Sequence, residues 1–293
     1  MFIIVGYIIV FVAVFGSFVA LGGHLGALYQ PFEFTLIGGA ALGAYLAGSS
    51  GRSMRLMLSA LVDALKPSPY NKAMSLELMS LLHVLLNKAR REGLMAIESD
   101  IEEPQNSAIF QAYPTLLKDP LLVGFISDYM RVIISGNLSP HEVEAIMDQE
   151  IETFLLERNV PASALFSVAD ALPAFGIVAA VLGVIKALAS VDQPPAILAD
   201  LISKAMVGTF LGILLAYGFV APVANVIERK NDRTVAMLEC IKVTLIASMS
   251  GYPAQIAIEF GRKVLYSSER PTFFEMEDHV RQQGRARTDS AQG

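Results

Sequence analysis

Two apolar stretches, ALPAFGIVAAVLGVIKALASV at residues 171–191 and AMVGTFLGILLAYGFVAP at residues 205–222, decide how this chain folds. Each is close to the length a helix needs to cross the hydrocarbon core of a bilayer, about 20 residues. Each also carries a stripe of small residues: Gly176, Ala180 and Gly183 on the first, Gly208, Gly212 and Ala216 on the second. In lipid the hydrophobic effect no longer drives helices together, and such stripes let two backbones approach closely enough to pack. The pair is therefore expected to touch protein rather than lipid alone.

Outward from this pair, residues 2–21 and 34–51 are also nearly free of charge, and the fourth span extends to residue 227. No Lys or Arg precedes the first stretch, it exceeds a signal-peptide core, and no small-residue cleavage site follows, so it reads as a retained transmembrane helix. The linkers 22–33 and 192–204 are short. The expected architecture is all-α and polytopic: four transmembrane helices in two hairpins, with a large helical cytoplasmic domain between them. Of the 22 Lys and Arg, ten lie between Arg52 and Arg158 and ten between Arg229 and Arg287, leaving Lys186 and Lys204 near the second short loop. This bias puts the insert and the C-terminal part in the cytoplasm and both short loops outside. An even number of spans then puts the N-terminus inside as well. Lys186 sits near the outer end of its helix and can snorkel to the interface.

Composition agrees with a mixed protein. Hydrophobic residues make up 54% of the chain and the mean hydropathy is +0.51, too apolar for an ordinary soluble protein and too polar for one wholly in the membrane. A net charge of −6 without a basic cluster argues against nucleic acid as a partner. Cys240 is the lone cysteine and reads as a buried, quiet thiol. No HExxH, GxSxG or phosphate-loop pattern occurs, and His24, His83, His141 and His279 are scattered. The chain is thus read as neither an enzyme nor a binder of metal or cofactor.

The insert is helical by pattern. Met74, Leu78, Leu81, Leu82 and Leu85 recur at helical spacing, with Glu77, Ser80, Asn87, Lys88 and Arg91 assigned to the opposite side. Asp119-Pro120 opens another helix and Gly136 ends it. Ser139-Pro140-His141-Glu142 reads as an N-cap, a first-turn proline and a capping-box glutamate before a long helix running toward the third span. Beyond the fourth span an amphipathic helix continues over 223–250 until Gly251 and Pro253 break it. A shorter helix reaches about Leu265, and from Arg281 the composition is that of a disordered polar tail. The expected divisions are 1–51, 52–168, 169–223 and 224–293.

A proton relay needs an ionisable group within the apolar zone. None lies at the middle of any span: Glu33 is at the outer mouth of the second and Asp170 at the inner entrance of the third. A partner chain must then supply the central carboxylate. Thr209 is the polar group this chain offers; its hydroxyl can bond its own helix or turn to a partner's acid or a water. Pro173 and Pro222 either bend their helices and free carbonyls or punctuate helix ends.

At Ala205-Met206-Val207-Gly208-Thr209-Phe210-Leu211-Gly212 with Pro222, and at Leu172-Pro173-Ala174-Phe175-Gly176-Ile177-Val178-Ala179-Ala180, the chain resembles the MotA family of flagellar-motor stator subunits. The likeness extends to Gly26-Ala27-Leu28-Tyr29-Gln30-Pro31, Glu259-Phe260-Gly261-Arg262-Lys263 and Ser267-Ser268-Glu269-Arg270-Pro271. The resemblance implies a pentameric ring around a dimer of a MotB-like, peptidoglycan-binding subunit whose aspartate takes up the ion. It places Thr209, Ala180, Pro173, Pro222, Asp170 and Tyr217 along the ion path, in the bacterial inner membrane. It makes Arg90 and Glu98 the rotor-facing residues, opposite charges of the rotor protein FliG; on an unbroken helix they would lie about 80° apart. Ala180 stands where sodium-driven relatives tend to carry a threonine, which points to protons, because a hard cation needs several oxygen ligands. An ExbB- or TolQ-like energy-transducing subunit and an uncoupled channel or scaffold are the competing readings. The extra first hairpin speaks against the former.

Overall fold

Apolar runs without β-alternation, punctuated by capping residues, glycine and proline, leave helices as the regular structure. In the computed structural model, which describes residues 2–279, no strand occurs among the described residues. In chain order, α1 (Phe2–Phe11) continues through a π-helical segment (Val12–Gly16) into α2 (Ser17–Ala20), and α3 (Pro31–Gly48) and α4 (Gly51–Leu65) follow. The insert contributes α5 (Lys72–Glu92), α6 (Glu98–Glu102), α7 (Ala108–Gln111), α8 (Pro114–Leu117) and α9 (Pro120–Ser135). Then come α10 (Pro140–Leu188), α11 (Pro195–Ile213), a second π-helical segment (Leu214–Val220), α12 (Ala221–Met249) and α13 (Ala254–Val264). The tail expected from Arg281 lies outside the described residues.

The cap signals act as their chemistry requires. Asp119 accepts hydrogen bonds from the Leu121 and Leu122 amides at the start of α9, and Gly136 closes that helix at φ 68°. Ser139 and Glu142 form the reciprocal capping box: the Ser139 amide donates to Glu142 Oε2 at 2.8 Å and the Glu142 amide to Ser139 Oγ at 3.4 Å. Gly251, at φ 90°, ends the run of α12, and Pro253 precedes α13.

Several boundaries differ from the sequence reading. Gly51 does not end the second span; Ser49 and Ser50 are extended, and Ser50 caps α4 by accepting the Ser53 amide. The loop assigned to 192–204 is much shorter, because Pro195, compatible with a first helical turn, starts α11 there. Pro173 lies inside α10, which runs 49 residues through both Pro161 and Pro173, so it is not punctuation. Pro222 likewise sits just inside α12, with Ala221 before it still in helical conformation. Ser80 is fully buried rather than on a polar face. Three helical runs among the described residues are long and apolar enough to cross a membrane: Ile3–Ala20, one within Pro140–Leu188 and one within Pro195–Met249. α3 is not among these. Its first-turn Glu33 and its glycines dilute an otherwise apolar 18-residue helix.

The chain divides into two compact units, one of residues to Pro67 with Glu157–Arg229, the other of Ser68–Leu156 with the described residues from Lys230. The first has two small cores. Ile37 and Ala41 of α3 pack with Val168, Leu172, Ala179, Val207, Leu211 and Ala216. Met57 and Ala64 of α4 pack with Ala162, Leu165, Ala224 and Ile227.

The second unit has one continuous core on the apolar stripe of α5. Leu78, Leu81, Leu82 and Leu85 are all fully buried, worth about 2 kcal/mol each in removed apolar surface. α13 closes on α12 through Gly261: a Cβ there would overlap the Thr244 hydroxyl and come within 2.7 Å of the Cys240 carbonyl. Arg262 holds the same helix end, bidentate to Glu259 and donating to the Pro271 carbonyl at 3.0 Å. Cys240 is buried, and burial pushes its thiol up to about 12, so it is indeed unreactive. Lys242, largely buried, stays charged: burial pulls its pKa down, but the carboxylates of Asp148 and Glu239 outweigh that and raise it.

Candidate functional site

The small-residue stripes of α10 and α11 face each other within the chain. A Cβ on Gly212 would stand 2.7 Å from the Leu172 carbonyl and 3.1 Å from Gly176 Cα. One on Gly176 would meet the Gly208 carbonyl at 3.0 Å, and one on Gly208 the Ala179 Cβ at 3.0 Å. Farther along, a Cβ on Gly183 would meet that of Ala205 at 2.5 Å. These distances define an antiparallel seam of backbone against backbone, which only hydrogen at Cα permits.

Thr209 sits on the seam. Its hydroxyl points across to the Gly176 carbonyl of α10 at 3.5 Å, the outer limit of a hydrogen bond, rather than to its own helix. That contact is weak enough for the hydroxyl to exchange it for a stronger acceptor. Ala180 is one turn along α10 from Gly176, partly exposed, its backbone nitrogen 3.6 Å from where a Gly208 Cβ would be. Pro173 lies one turn the other way. Having no amide, it leaves the Ala169 carbonyl without its usual donor four residues on. Asp170, close by in sequence, is exposed and among the described residues has no hydrogen-bonding or charged partner. From Ala171 to Ile185 and from Ala205 to Ile227 there is no Asp, Glu, His, Lys or Arg.

Tyr217 is 62% exposed on the second π-helical segment, away from the seam. That segment joins α11 to α12 through the Ala221 amide, which reaches the carbonyl of Ala216. In this register the next amide would serve Tyr217, but residue 222 is proline and offers none. Sequence reading missed Tyr7. Its hydroxyl donates to the Phe219 carbonyl at 2.6 Å, with the two rings 5.1 Å apart, tying the first span to the same irregular turn. The signal was present: Tyr7 and Ser17 are the only side chains in 2–21 with a hydroxyl, and a donor in an apolar span needs an acceptor.

In the other unit, Arg90 and Glu98 do not share an unbroken helix. α5 ends at Glu92, Gly93 turns the chain at φ 94°, and a 3₁₀ turn (Leu94–Ile97) leads into α6, which Glu98 opens. Glycine accommodates that positive φ without strain. α6 is tied back to α5 by Lys88, whose Nζ bonds Asp100 Oδ2 at 2.7 Å, while Ser107 donates to Oδ1 at 2.6 Å. Arg90 in the last turn of α5 and Glu98 in the first turn of α6 each complement the local helix dipole. Both are exposed, and neither has a hydrogen-bond or ion-pair partner among the described residues. Arg90 also edges a cleft of about 550 Å³ lined by Leu86, Leu94, Met130 and Tyr252.

The long apolar helices and the glycine seam between two of them define an all-helical protein of the membrane-spanning class. Residues 4–93 match the motility protein A N-terminal model and residues 118–240 the MotA/TolQ/ExbB proton channel family. The chain is 52% identical to motility protein A of Salmonella typhimurium over 281 residues, covering 96% of this chain and 95% of the relative. Identity and coverage are the same with motility protein A of Escherichia coli. The chemotaxis protein LafT of Vibrio parahaemolyticus is 37% identical over 95% of this chain and 98% of its own. The chain therefore belongs to the motility protein A family, the stator subunits of the flagellar motor, within the wider proton-channel family. The fold is that of solved MotAB structures. One from C. jejuni has a TM-score of 0.75 at 20% identity, covering 92% of this chain and 98% of that one. One from Bacillus subtilis scores 0.67 at 24% identity, covering 87% and 92%.

Proposed function

We propose that this stator subunit, assembled as a ring with a MotB-like peptidoglycan-bound partner, couples proton flow across the bacterial inner membrane to torque on the rotor. One observation carries the reading: α10 and α11 are closed on each other by glycine, the middles of their apolar stretches hold no Asp, Glu, His, Lys or Arg, and Thr209 presents a loosely engaged hydroxyl on the seam. Such a pair can line an ion path but cannot bind the ion unaided. The names of the solved MotAB complexes support a MotB-type partner as the source of the acid. A pentameric ring follows the family resemblance.

In this reading α3 is also a span, the second in chain order, which brings the number to four. The N- and C-termini and residues 52–168 and 224–293 are cytoplasmic, with the transmembrane hairpins at 1–51 and 169–223. One proton crossing about 100 mV releases roughly 2.3 kcal/mol, enough to bias a two-state rearrangement of packed helices severalfold. Neutralising the partner's acid lets Thr209 return to the Gly176 carbonyl, and the ring steps. Pro173 and Pro222, each lacking an amide inside a continuous helix, are the points where α10 and the α11–α12 run flex. Asp170 stands at the inner entrance, and Tyr217 faces the path from the π-helical turn. Arg90 and Glu98, both free at the surface, then meet complementary charges on a FliG-type rotor protein and give orientation rather than tight binding.

Ala180 brings no oxygen to the path, so the ion is the proton. Swimming driven by this subunit should persist in sodium-free medium and stop with a protonophore; dependence on external sodium contradicts the assignment. Reversing both charges (R90E with E98K) should abolish torque while leaving stator assembly intact. Wild-type torque from that variant would remove these residues from the rotor contact.

A further inference from the structure

The first span lies along the α11–α12 run in antiparallel order. Phe15 meets Phe210 edge-on, with ring centroids 6.4 Å apart, and a Cβ on Gly218 would stand 3.3 Å from Val10 Cγ1. Tyr7 reaches Phe219, ring beside ring and hydroxyl to carbonyl at 2.6 Å. Gly218 and Phe219 belong to the π-helical segment Leu214–Val220, and Phe15 belongs to the π-helical segment of the first span, Val12–Gly16. Phe210 adjoins Thr209, and Phe219 stands three residues before Pro222. The first span therefore touches both ends of the stretch between the seam hydroxyl and the proline that opens α12.

Register is what this stretch must hold. In the π-helical turn the Ala221 amide serves the carbonyl five residues back, at Ala216, whereas α12 beyond it advances by the ordinary four. That change of step leaves one carbonyl without a backbone amide, and Pro222 withholds another. The carbonyls of Tyr217, Gly218 and Phe219 are thus served by fewer amides than they number, and the Tyr7 hydroxyl supplies a donor from outside the helix. Absorbing or releasing the extra residue of the π turn would rotate the helix that follows by about 100° and shift it by about 1.5 Å. That helix, α12, runs unbroken past Arg229 into the second compact unit.

We infer that Tyr7 is a positioning residue of this stator: by holding the Phe219 carbonyl it fixes the register of the π-helical turn, so that a rearrangement at the Thr209 seam turns α12 instead of being taken up within the turn. This rests on the proposed coupling of proton flow to torque and names a residue that transmits it. Without the donor, protons still pass, because the Tyr7 hydroxyl bonds Phe219 and not the seam. What is lost is the movement that each passage yields. A hydroxyl suits this task, since within an apolar span no water competes for the carbonyl. One hydrogen bond shifts the balance between two registers by about fivefold in population.

The test uses the full chain with its MotB-like partner, in motile cells and in vesicles. It compares wild type, Tyr7→Phe, which keeps the ring and loses the donor, and p-aminophenylalanine at position 7, whose N–H can donate to the same carbonyl. Torque per stator unit at high load should fall at least about twofold in Tyr7→Phe, while partner-dependent proton uptake into vesicles stays at the wild-type level. Restoring a donor with p-aminophenylalanine should recover most of the torque. Wild-type torque from Tyr7→Phe overturns the proposal, as does a parallel loss of torque and uptake, which would make Tyr7 part of the ion path or of the fold. So does failure of p-aminophenylalanine to raise torque above the Tyr7→Phe level. The wild-type pair separates the two readings. If it takes up no protons, the coupling reading falls and the role of Tyr7 with it; if it does, and Tyr7→Phe turns the rotor normally, only the role of Tyr7 fails.

Discussion

Gly212 and Gly261 each occupy a place where a single added carbon would meet backbone. At Gly212 the obstacle is the Leu172 carbonyl, at 2.7 Å; at Gly261 it is the Cys240 carbonyl, also at 2.7 Å. Neither can move as a flexible side chain can, so a substitution must displace a helix, at a cost of about 1–3 kcal/mol. Gly212→Ala is expected to part α10 from α11 and lower partner-dependent proton flux, with a drop in thermal stability seen in detergent melts. Gly261→Ala should destabilise by a similar amount while leaving the membrane hairpin intact. Unchanged melting of both variants would show that the helices have slack the distances do not reveal. The sequence marked both glycines but not their partners. A stripe of small residues says that a backbone approaches, and only the fold says which one.

Glu275 illustrates a residue whose behaviour with pH can be worked out. Its carboxylate accepts from Lys72 Nζ at 2.7 Å and caps Thr272, and these bonds hold its pKa down to about 2. A depressed carboxylate pKa stabilises the fold above its unfolded value, near 4.3, and that contribution is lost as pH falls toward 2. The pair is exposed, so the effect is small. The difference in melting temperature between wild type and Lys72→Met should therefore be largest above about pH 5 and vanish near pH 2. A difference that grows on acidification contradicts the ion pair.

Among elements, α10 departs most from the expected outline. Its start was legible because a capping box is local chemistry, written in Ser139 and Glu142. Its passage through Pro161 and Pro173 was not, because proline in sequence signals an end as readily as a bend, and flanking turns packed in two cores decide between them. The same limit applies to Gly93. The glycine was visible, but whether Arg90 and Glu98 shared a helix depended on its φ of 94°. Pro173→Ala restores an amide facing the Ala169 carbonyl and is expected to stiffen the helix. Stator assembly should persist while torque falls at least about tenfold. Full torque would make the proline dispensable as a hinge. Tyr7→Phe removes the hydrogen bond to Phe219, worth about 1 kcal/mol, and should loosen the π-helical turn without abolishing insertion. Faster hydrogen exchange confined to residues 214–224 would register that change.

For the whole molecule, the helical class and the apolar hairpin at 171–227 could be read from hydropathy, and the missing acid from the absence of charge at the middle of either of its spans. Placement of α3 was harder, since Glu33 and four glycines weaken its apolar signal, and its 18 residues are long enough but not apolar enough to stand with the three candidate spans. The proposal that Arg90 and Glu98 face the rotor came from resemblance rather than from pattern, because exposed charges at helix ends are common on any soluble surface. Their lack of partners is a property of the fold.

The central claim is that this chain encloses an ion path without owning the group that takes up the proton. Proton uptake into vesicles under an imposed potential measures it directly, comparing the chain alone, the chain with its MotB-like partner, and the pair with that partner's membrane aspartate changed to asparagine. Uptake above the lipid background should occur only with the intact pair. Equal uptake by the chain alone would contradict the account.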